Sequence, residues 1–290
     1  MANLKEVRVR IASVQSTQKI TSAMKMVSAS KLRRAQTAIL KMRPYAQKLN
    51  QILSNLCNDR NDNVFAQNRA PERVVLVVIT SNKGLCGGFN VNVTKQTSNL
   101  LKNKYAAQVE KGNVSLICIG KKGYEVFKKT KIPILKYYDT LLDAPTFEKV
   151  SEIAEDLMNA FKNKTLDKVE IVYNEFKNAA NQVLIAENYL PVATPQETAV
   201  QKNSVDYIFE PNKAVIFEEL IPKILKLQFY KAVLDSLASE HGARMTAMHK
   251  ATDNAHELIK TLSLAYNKAR QAAITNEISE IVSGAEALKA

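Results

Sequence analysis

Residues 213–290 read KAVIFEELIPKILKLQFYKAVLDSLASEHGARMTAMHKATDNAHELIKTLSLAYNKARQAAITNEISEIVSGAEALKA. Steps of alternating three and four from Phe217 reach Leu220, Ile224, Leu227, Lys231, Leu234, Ala238, His241, Met245, Met248, Thr252, Ala255, Ile259, Leu262, Tyr266, Ala269 and Ala273. All but Lys231, His241 and Thr252 are apolar. A 3.5-residue period held for so long marks a helix with a narrow apolar seam that lies along another helix. Pro222 stands close to the start, and Gly242 and Gly284 are the only glycines. At 1.5 Å per residue such a helix spans roughly 110 Å. That exceeds the width of a compact chain of 290 residues, so part of the helix is expected to project and to be received by another protein.

The first 56 residues repeat the period. Leu4, Val7, Ile11 and Val14 share one phase with Leu32, Ala35, Ile39, Met42, Ala46, Leu49, Leu53 and Leu56. Between the two sets the seam positions are Gln18, Thr21, Lys25 and Ser28. The apolar residues of that interval, Ile20, Ala23, Met24, Met26 and Val27, fall all round the helix instead. Two readings are open: a local rotation of the seam, as at a coiled-coil discontinuity, or enclosure by a larger partner, since a helix apolar all round is normally buried all round. Pro44 is expected to kink this helix, not to end it, because the seam resumes beyond it.

Between these helices the texture changes. Arg73–Ile79 is a β-branched run that reads as a buried strand. The loop Thr80-Ser81-Asn82-Lys83-Gly84-Leu85-Cys86-Gly87-Gly88-Phe89-Asn90 follows, then a helical stretch to about Ala107. A strand at Val114–Ile119, a short helix, a weak strand at Ile134–Tyr138 and a helix from Thr146 to Phe161 come next. Strands at Val169–Tyr173 and Val183–Tyr189 complete the series, joined by the hairpin-like Asn178-Ala179-Ala180-Asn181. Such alternation argues an α/β body with a largely parallel sheet. The expected fold is therefore α/β: a long antiparallel coiled coil of N- and C-terminal helices with an inserted Rossmann-like domain. The expected divisions are 1–58, 73–210 and 211–290.

Composition narrows the function classes. The chain carries a net charge of +13. Residues 1–50 hold eleven lysines and arginines against the single acid Glu6, which calls for an acidic protein surface, an anionic membrane face or nucleic acid. No apolar run is long enough to span a bilayer, and the N-terminus enters a periodic pattern without a signal or import leader. Cys57, Cys86 and Cys118 lie far apart with no CxxC spacing and read as reduced structural thiols.

The glycine loop matches neither GxxxxGK[ST] nor GxGxxG, and Lys83 precedes its glycines, so it reads as a tight strand-to-helix turn. His249, Asp253 and His256 share one helical face, yet no fourth ligand is in view, and they read as a solvated polar face without a metal. Nothing in the chain forms a nucleophile–base arrangement, and no cofactor is expected. Two other classes compete. A basic coiled coil that binds nucleic acid predicts affinity falling steeply with salt, but residues 1–44 carry no aromatic side chain. A nucleotide-using α/β enzyme predicts ATP binding by the isolated chain.

The segment Ile274-Thr275-Asn276-Glu277-Ile278-Ser279-Glu280-Ile281-Val282-Ser283-Gly284-Ala285-Glu286-Ala287 closely resembles the signature of the ATP synthase gamma subunit family. Arg10-Ile11 through Ser16–Val27 to Ser30–Ala35, the loop Gly84–Asn90 and Ser239–Met248 resemble it too, so the likeness runs end to end. It implies a central rotor shaft inserted through a ring of three alpha and three beta subunits. The α/β body would sit below the ring, against the epsilon subunit and the membrane-embedded c-ring. It further implies a non-catalytic subunit, peripheral to the membrane on the cytoplasmic side of a bacterial cell. Met24 and Lys25, with Arg270, Gln271, Thr275 and Glu277, would meet the ring, and basic residues of the shaft would face acidic segments of beta. Lys25 stands where many relatives carry an acid.

Overall fold

The computed structural model describes residues 4–56, 65, 67, 69–179, 181–192 and 213–287. Cys57 and the expected connection over 193–212 lie outside them. The chain divides into two compact units: Ala29–Arg244, and a second formed by residues up to Ser28 together with those from Met245.

In the larger unit a five-stranded sheet is built from β1 (Val74–Ile79), β2 (Val114–Ile119), β3 (Ile134–Tyr138), β4 (Lys168–Phe176) and β5 (Gln182–Leu190), in the order β3-β2-β1-β4-β5. The first four strands pair in parallel; β5 returns antiparallel on β4 through the expected hairpin. All six residues of β1 are buried, and the strand's period of two divides them. Val75, Val77 and Ile79 enter one core and Val74, Leu76 and Val78 the other. Both faces are therefore covered, as a central parallel strand demands.

On one face lies α5 (Phe147–Lys162), whose Val150, Ile153, Ala154, Leu157, Met158 and Phe161 repeat at helical spacing. On the other lies α2 (Phe89–Asn99), with α3 (Ala106–Glu110) and α4 (Lys121–Phe127). The helix expected to reach Ala107 is interrupted: a π-helical turn over Leu100–Lys104 ends at Tyr105, which leaves helical geometry. The extra residue in that turn brings Lys104 onto the buried carboxylate of Glu170, which Lys168 also approaches at 3.5 Å.

Gly120 starts α4 at φ 99°, and a Cβ there would sit 2.1 Å from the carbonyl oxygen of Thr80. Glycine alone allows β2 to turn into α4 so close to β1.

The long terminal helices are α1 (Leu4–Leu56), with Pro44 inside it, and α6 (Lys213–Ala287), with Pro222 inside it. Within the larger unit, Leu49 clusters with Ile224 and Leu227, and Met42, Ala46 and Leu220 pack against them. In the smaller unit Thr21 meets Thr252. The helices thus run antiparallel and join along their seams. The upper stretch of α6 also has a second apolar stripe, Ile221, Leu225, Phe229, Ala232 and Val233, which packs into the α5 core of the sheet.

Candidate functional site

The smaller unit contains the two helical stretches that carry every site residue expected from the sequence. The seam of α1 does not rotate between Val14 and Leu32. Thr21 and Ser28 are buried there, and Gln18 and Lys25 are half-buried. Polar residues therefore continue the seam in phase. They can do so because each hydroxyl has a carbonyl on its own helix: Ser28 Oγ donates to Met24 O at 2.8 Å, and Thr21 Oγ1 lies 3.0 Å from Gln18 O. Of the apolar residues of the interval, Met24 is half-buried and the others face outward. Ile20, Met26 and Val27 are 60%, 66% and 57% exposed. Large apolar side chains clustered on the outside are the informative exception on a protein surface, and rotation of the seam is set aside.

Met24 and Lys25 are half-buried by their own chain, whereas Arg270, Gln271, Thr275 and Glu277 are all exposed. On α6, Arg270, Ile274 and Glu277 follow at four and three residues and share one face. Gln271, Thr275, Ile278 and Val282 line the next, with Thr275 Oγ1 donating to Gln271 O at 2.9 Å. Ile274, Ile278, Ile281 and Val282 are exposed large apolar residues, and every residue from Ile274 to Ala287 is exposed. No hydrogen bond or ion pair among the described residues joins the α1 set to the α6 set. His249 Nδ1 sits 3.1 Å from Asp253 Oδ2 with both side chains more than half exposed; His256 is exposed too. Among the described residues no group of His, Cys, Asp or Glu is arranged to hold a metal ion.

In the larger unit, α6 meets the glycine loop through a side chain to which the sequence assigned no role. Arg244 Nη2 donates to Lys83 O at 2.9 Å and its Nε to Gly84 O at 3.2 Å. The same guanidinium holds Glu240 at 2.7 Å and lies 3.3 Å from His241 Nδ1. All three side chains are buried. Burial, with the neighbouring cations Arg244 and Lys31, lowers the His241 pKa to about 4, so its ring is neutral. Burial raises the Glu240 carboxyl, against the pull of Arg244.

The loop is also tied internally: Asn90 Oδ1 accepts from Ser81 N at 2.9 Å, and Asn90 Nδ2 donates to the Cys86 sulfur at 3.2 Å. The carbonyls of Lys83 and Gly84 and the amide of Ser81 are thus engaged, which ties this strand-to-helix turn to α6. Cys86 and Cys118 are buried free thiols, and burial pushes Cys118 up to about 12. A thiol so raised is unreactive.

Two seam-joined terminal helices carrying an inserted, doubly covered α/β sheet define the class: a coiled-coil protein built around an inserted nucleotide-fold-like body. Residues 3–288 match the sequence model of the family described as ATP synthase. The chain is 53% identical to the ATP synthase gamma chain of Cytophaga hutchinsonii and 54% identical to that of Flavobacterium johnsoniae, with 99% of each chain covered in both cases. Among solved structures, a chain of the Euglena gracilis mitochondrial ATP synthase (OSCP/F1/c-ring) matches with a TM-score of 0.72 at 22% identity, over 98% of this chain and 94% of that one. A chain of the Tetrahymena thermophila mitochondrial ATP synthase central stalk and c-ring matches with a TM-score of 0.59 at 25% identity, over 80% and 99%. The chain belongs to the ATP synthase gamma chain family.

Proposed function

We propose that this chain is the central rotor shaft of an F-type ATP synthase, itself non-catalytic, which couples proton-driven rotation to ATP synthesis and hydrolysis at the beta subunits. In this reading residues 1–58 and 211–290 form the shaft and 73–210 the inserted body. The alpha–beta ring encloses the shaft, epsilon and the c-ring hold the body, and the whole lies peripherally on the cytoplasmic side of a bacterial inner membrane. No helix among the described residues is long and apolar enough to cross that membrane.

One observation carries the reading beyond family membership. Between Val14 and Leu32 the basic helix α1 buries Thr21 and Ser28 in its seam and leaves Ile20, Met26 and Val27 outward. Large apolar side chains exposed beside small buried polar ones fit a surface covered by another protein. Met24, Lys25, Arg270, Gln271, Thr275 and Glu277 are the side chains we assign to that contact. Arg270 and Lys25 would meet acidic segments of beta, while Thr275 and Gln271 supply neutral hydrogen-bonding groups. A shaft that turns must leave each contact it makes. Single charges in an aqueous rim, worth about 1 kcal/mol or less each, can be exchanged between three equivalent partners without a deep trap.

Purification through a tag on this chain at moderate salt tests the proposal. Recovery of one copy with alpha and beta in equal amounts and with ATPase activity supports it. Recovery of the chain alone, or with nucleic acid released by salt, overturns it.

A further inference from the structure

We propose that the outer edge of the sheet, formed by α4 and β3, binds the anionic headgroups of a phospholipid bilayer. The inference concerns the larger unit alone and does not depend on the rotor reading. β3 is the last strand in the order, so its outer edge has no strand partner among the described residues. Residues 121–136 contain six lysines, one acid (Glu125) and no arginine. Lys122 pairs with Glu125 at 2.7 Å and Lys136 with Asp156 at 2.6 Å. Lys121, Lys128, Lys129 and Lys131 make no ion pair among the described residues, and all four are exposed.

The same edge exposes Val126 and Leu135, at 45% and 53%. Between α4 and β3 the rings of Tyr124 and Tyr137 stack at 4.3 Å and, with Phe127, Ile132, Lys128 and Lys136, line an open cavity of about 390 Å³. Lys128 Nζ stands 5.8 Å from the Tyr124 ring. Long lysines around tyrosines and protruding aliphatic side chains are what a protein presents to an interfacial region, where charge is drawn to headgroups and the apolar groups enter beneath them.

The chemistry of the cations selects the bilayer over an acidic protein segment. Arginine, with its fixed fork, is the residue of paired carboxylate recognition, whereas lysine acts as a mobile point charge. A patch of lysines without one arginine, carried on a helix end and a turn, suits a surface of diffuse negative charge. Lysines on a free edge also discourage strand pairing between molecules, and the experiment separates the two roles.

The chain contains no tryptophan, so a single reporter can be placed where contact is expected. Purified full-length chain carrying Leu135→Trp is mixed with vesicles of equimolar phosphatidylcholine and phosphatidylglycerol, and with vesicles of phosphatidylcholine alone. The expected result is a blue-shifted emission, quenched by brominated lipid, with the anionic vesicles only. Lys128→Gln with Lys131→Gln in that background should weaken the vesicle affinity roughly thirtyfold, and Lys128→Glu with Lys131→Glu should weaken it further. A second reporter, Leu264→Trp on α6, controls for binding through the basic residues of α1. A response from Leu264→Trp and none from Leu135→Trp would overturn the proposal. So would a shift with poly-L-glutamate but not with vesicles, or lysine variants that bind as before and merely self-associate.

Discussion

The hydroxyl of Thr21 lies 2.8 Å from the hydroxyl of Thr252, across the seam of α1 and α6. Thr252 Oγ1 is also 2.8 Å from Met248 O, as Thr21 Oγ1 is 3.0 Å from Gln18 O. Two protons therefore serve three contacts, and when one hydroxyl donates across the seam the other is left to donate into its own helix. Replacing either threonine by valine should cost about 1 kcal/mol, and replacing both should cost less than the two single changes together, because no hydroxyl is then left facing an apolar neighbour. A double-mutant cycle from urea denaturation measures the coupling. Strict additivity would show that the pair contributes nothing.

Arg244 neutralises Glu240 and caps the carbonyls of Lys83 and Gly84. Arg244→Met strands a carboxylate in the interior and should destabilise the larger unit by about 3–5 kcal/mol. Adding Glu240→Gln should recover part of that loss. The midpoint of thermal unfolding reports both changes, and an Arg244→Met protein as stable as the parent would remove the cluster from the account of how α6 is held.

Two buried groups on α6 respond to acid in opposite directions. Burial raises Asp235 to about 6, with Glu175 and Glu187 adding to the rise and Lys231 and Arg43 opposing it. Its folded pKa exceeds the unfolded one, so its contribution is present below about 3.8 and is lost as pH rises through about 6. His241, lowered from 6.5 to about 4, contributes fully above 6.5 and loses that contribution as pH falls through about 4. The two nearly cancel between those limits. Relative to the parent, Asp235→Asn should become about 2 kcal/mol more sensitive to acid between about pH 4.5 and 7, and His241→Asn less sensitive by a similar amount. Denaturation midpoints at pH 4.5 and 7 compare them; parallel curves for all three proteins would refute the assignment.

Met24→Lys places a second cation beside Lys25 on the surface assigned to the ring. In membranes carrying the assembled enzyme, proton pumping per ATP should fall while hydrolysis continues. An unchanged ratio would take Met24 out of the contact.

Much of this architecture was legible from period alone. Val114–Ile119 and Ile134–Tyr138 are strands as read, and Leu49, Ile224 and Leu227 meet as the two seams require. The second stripe of α6, from Ile221 to Val233, was not legible, since a second face at helical spacing blurs into general hydrophobicity. At Thr21 and Ser28 the hydropathy pattern broke where the geometry did not, because hydroxyls bonded to their own helix can occupy a seam as small neutral groups. Arg244 was legible only as part of a motif. Its carbonyl partners lie 160 and 161 residues away in sequence, and nothing local announces that the glycine loop will present them. The outward Ile20, Met26 and Val27 were foreshadowed by their scatter round the helix, a signal that names a covered surface without naming what covers it.

The exposed run from Ile274 to Ala287 has a consequence for how the molecule comes to be ordered. A helix of that length with every residue exposed is marginal in water, so in the free chain its backbone amides should exchange with deuterium almost as fast as those of a peptide. The amides of Leu225 or Phe229, held between two packed faces, should exchange only with unfolding of the whole unit. Once the last turns are enclosed, their exchange should slow by the free energy of that enclosure. The end of α6 thereby becomes a gauge of assembly: a region whose folding is completed by its surroundings, and whose protection measures how tightly they close.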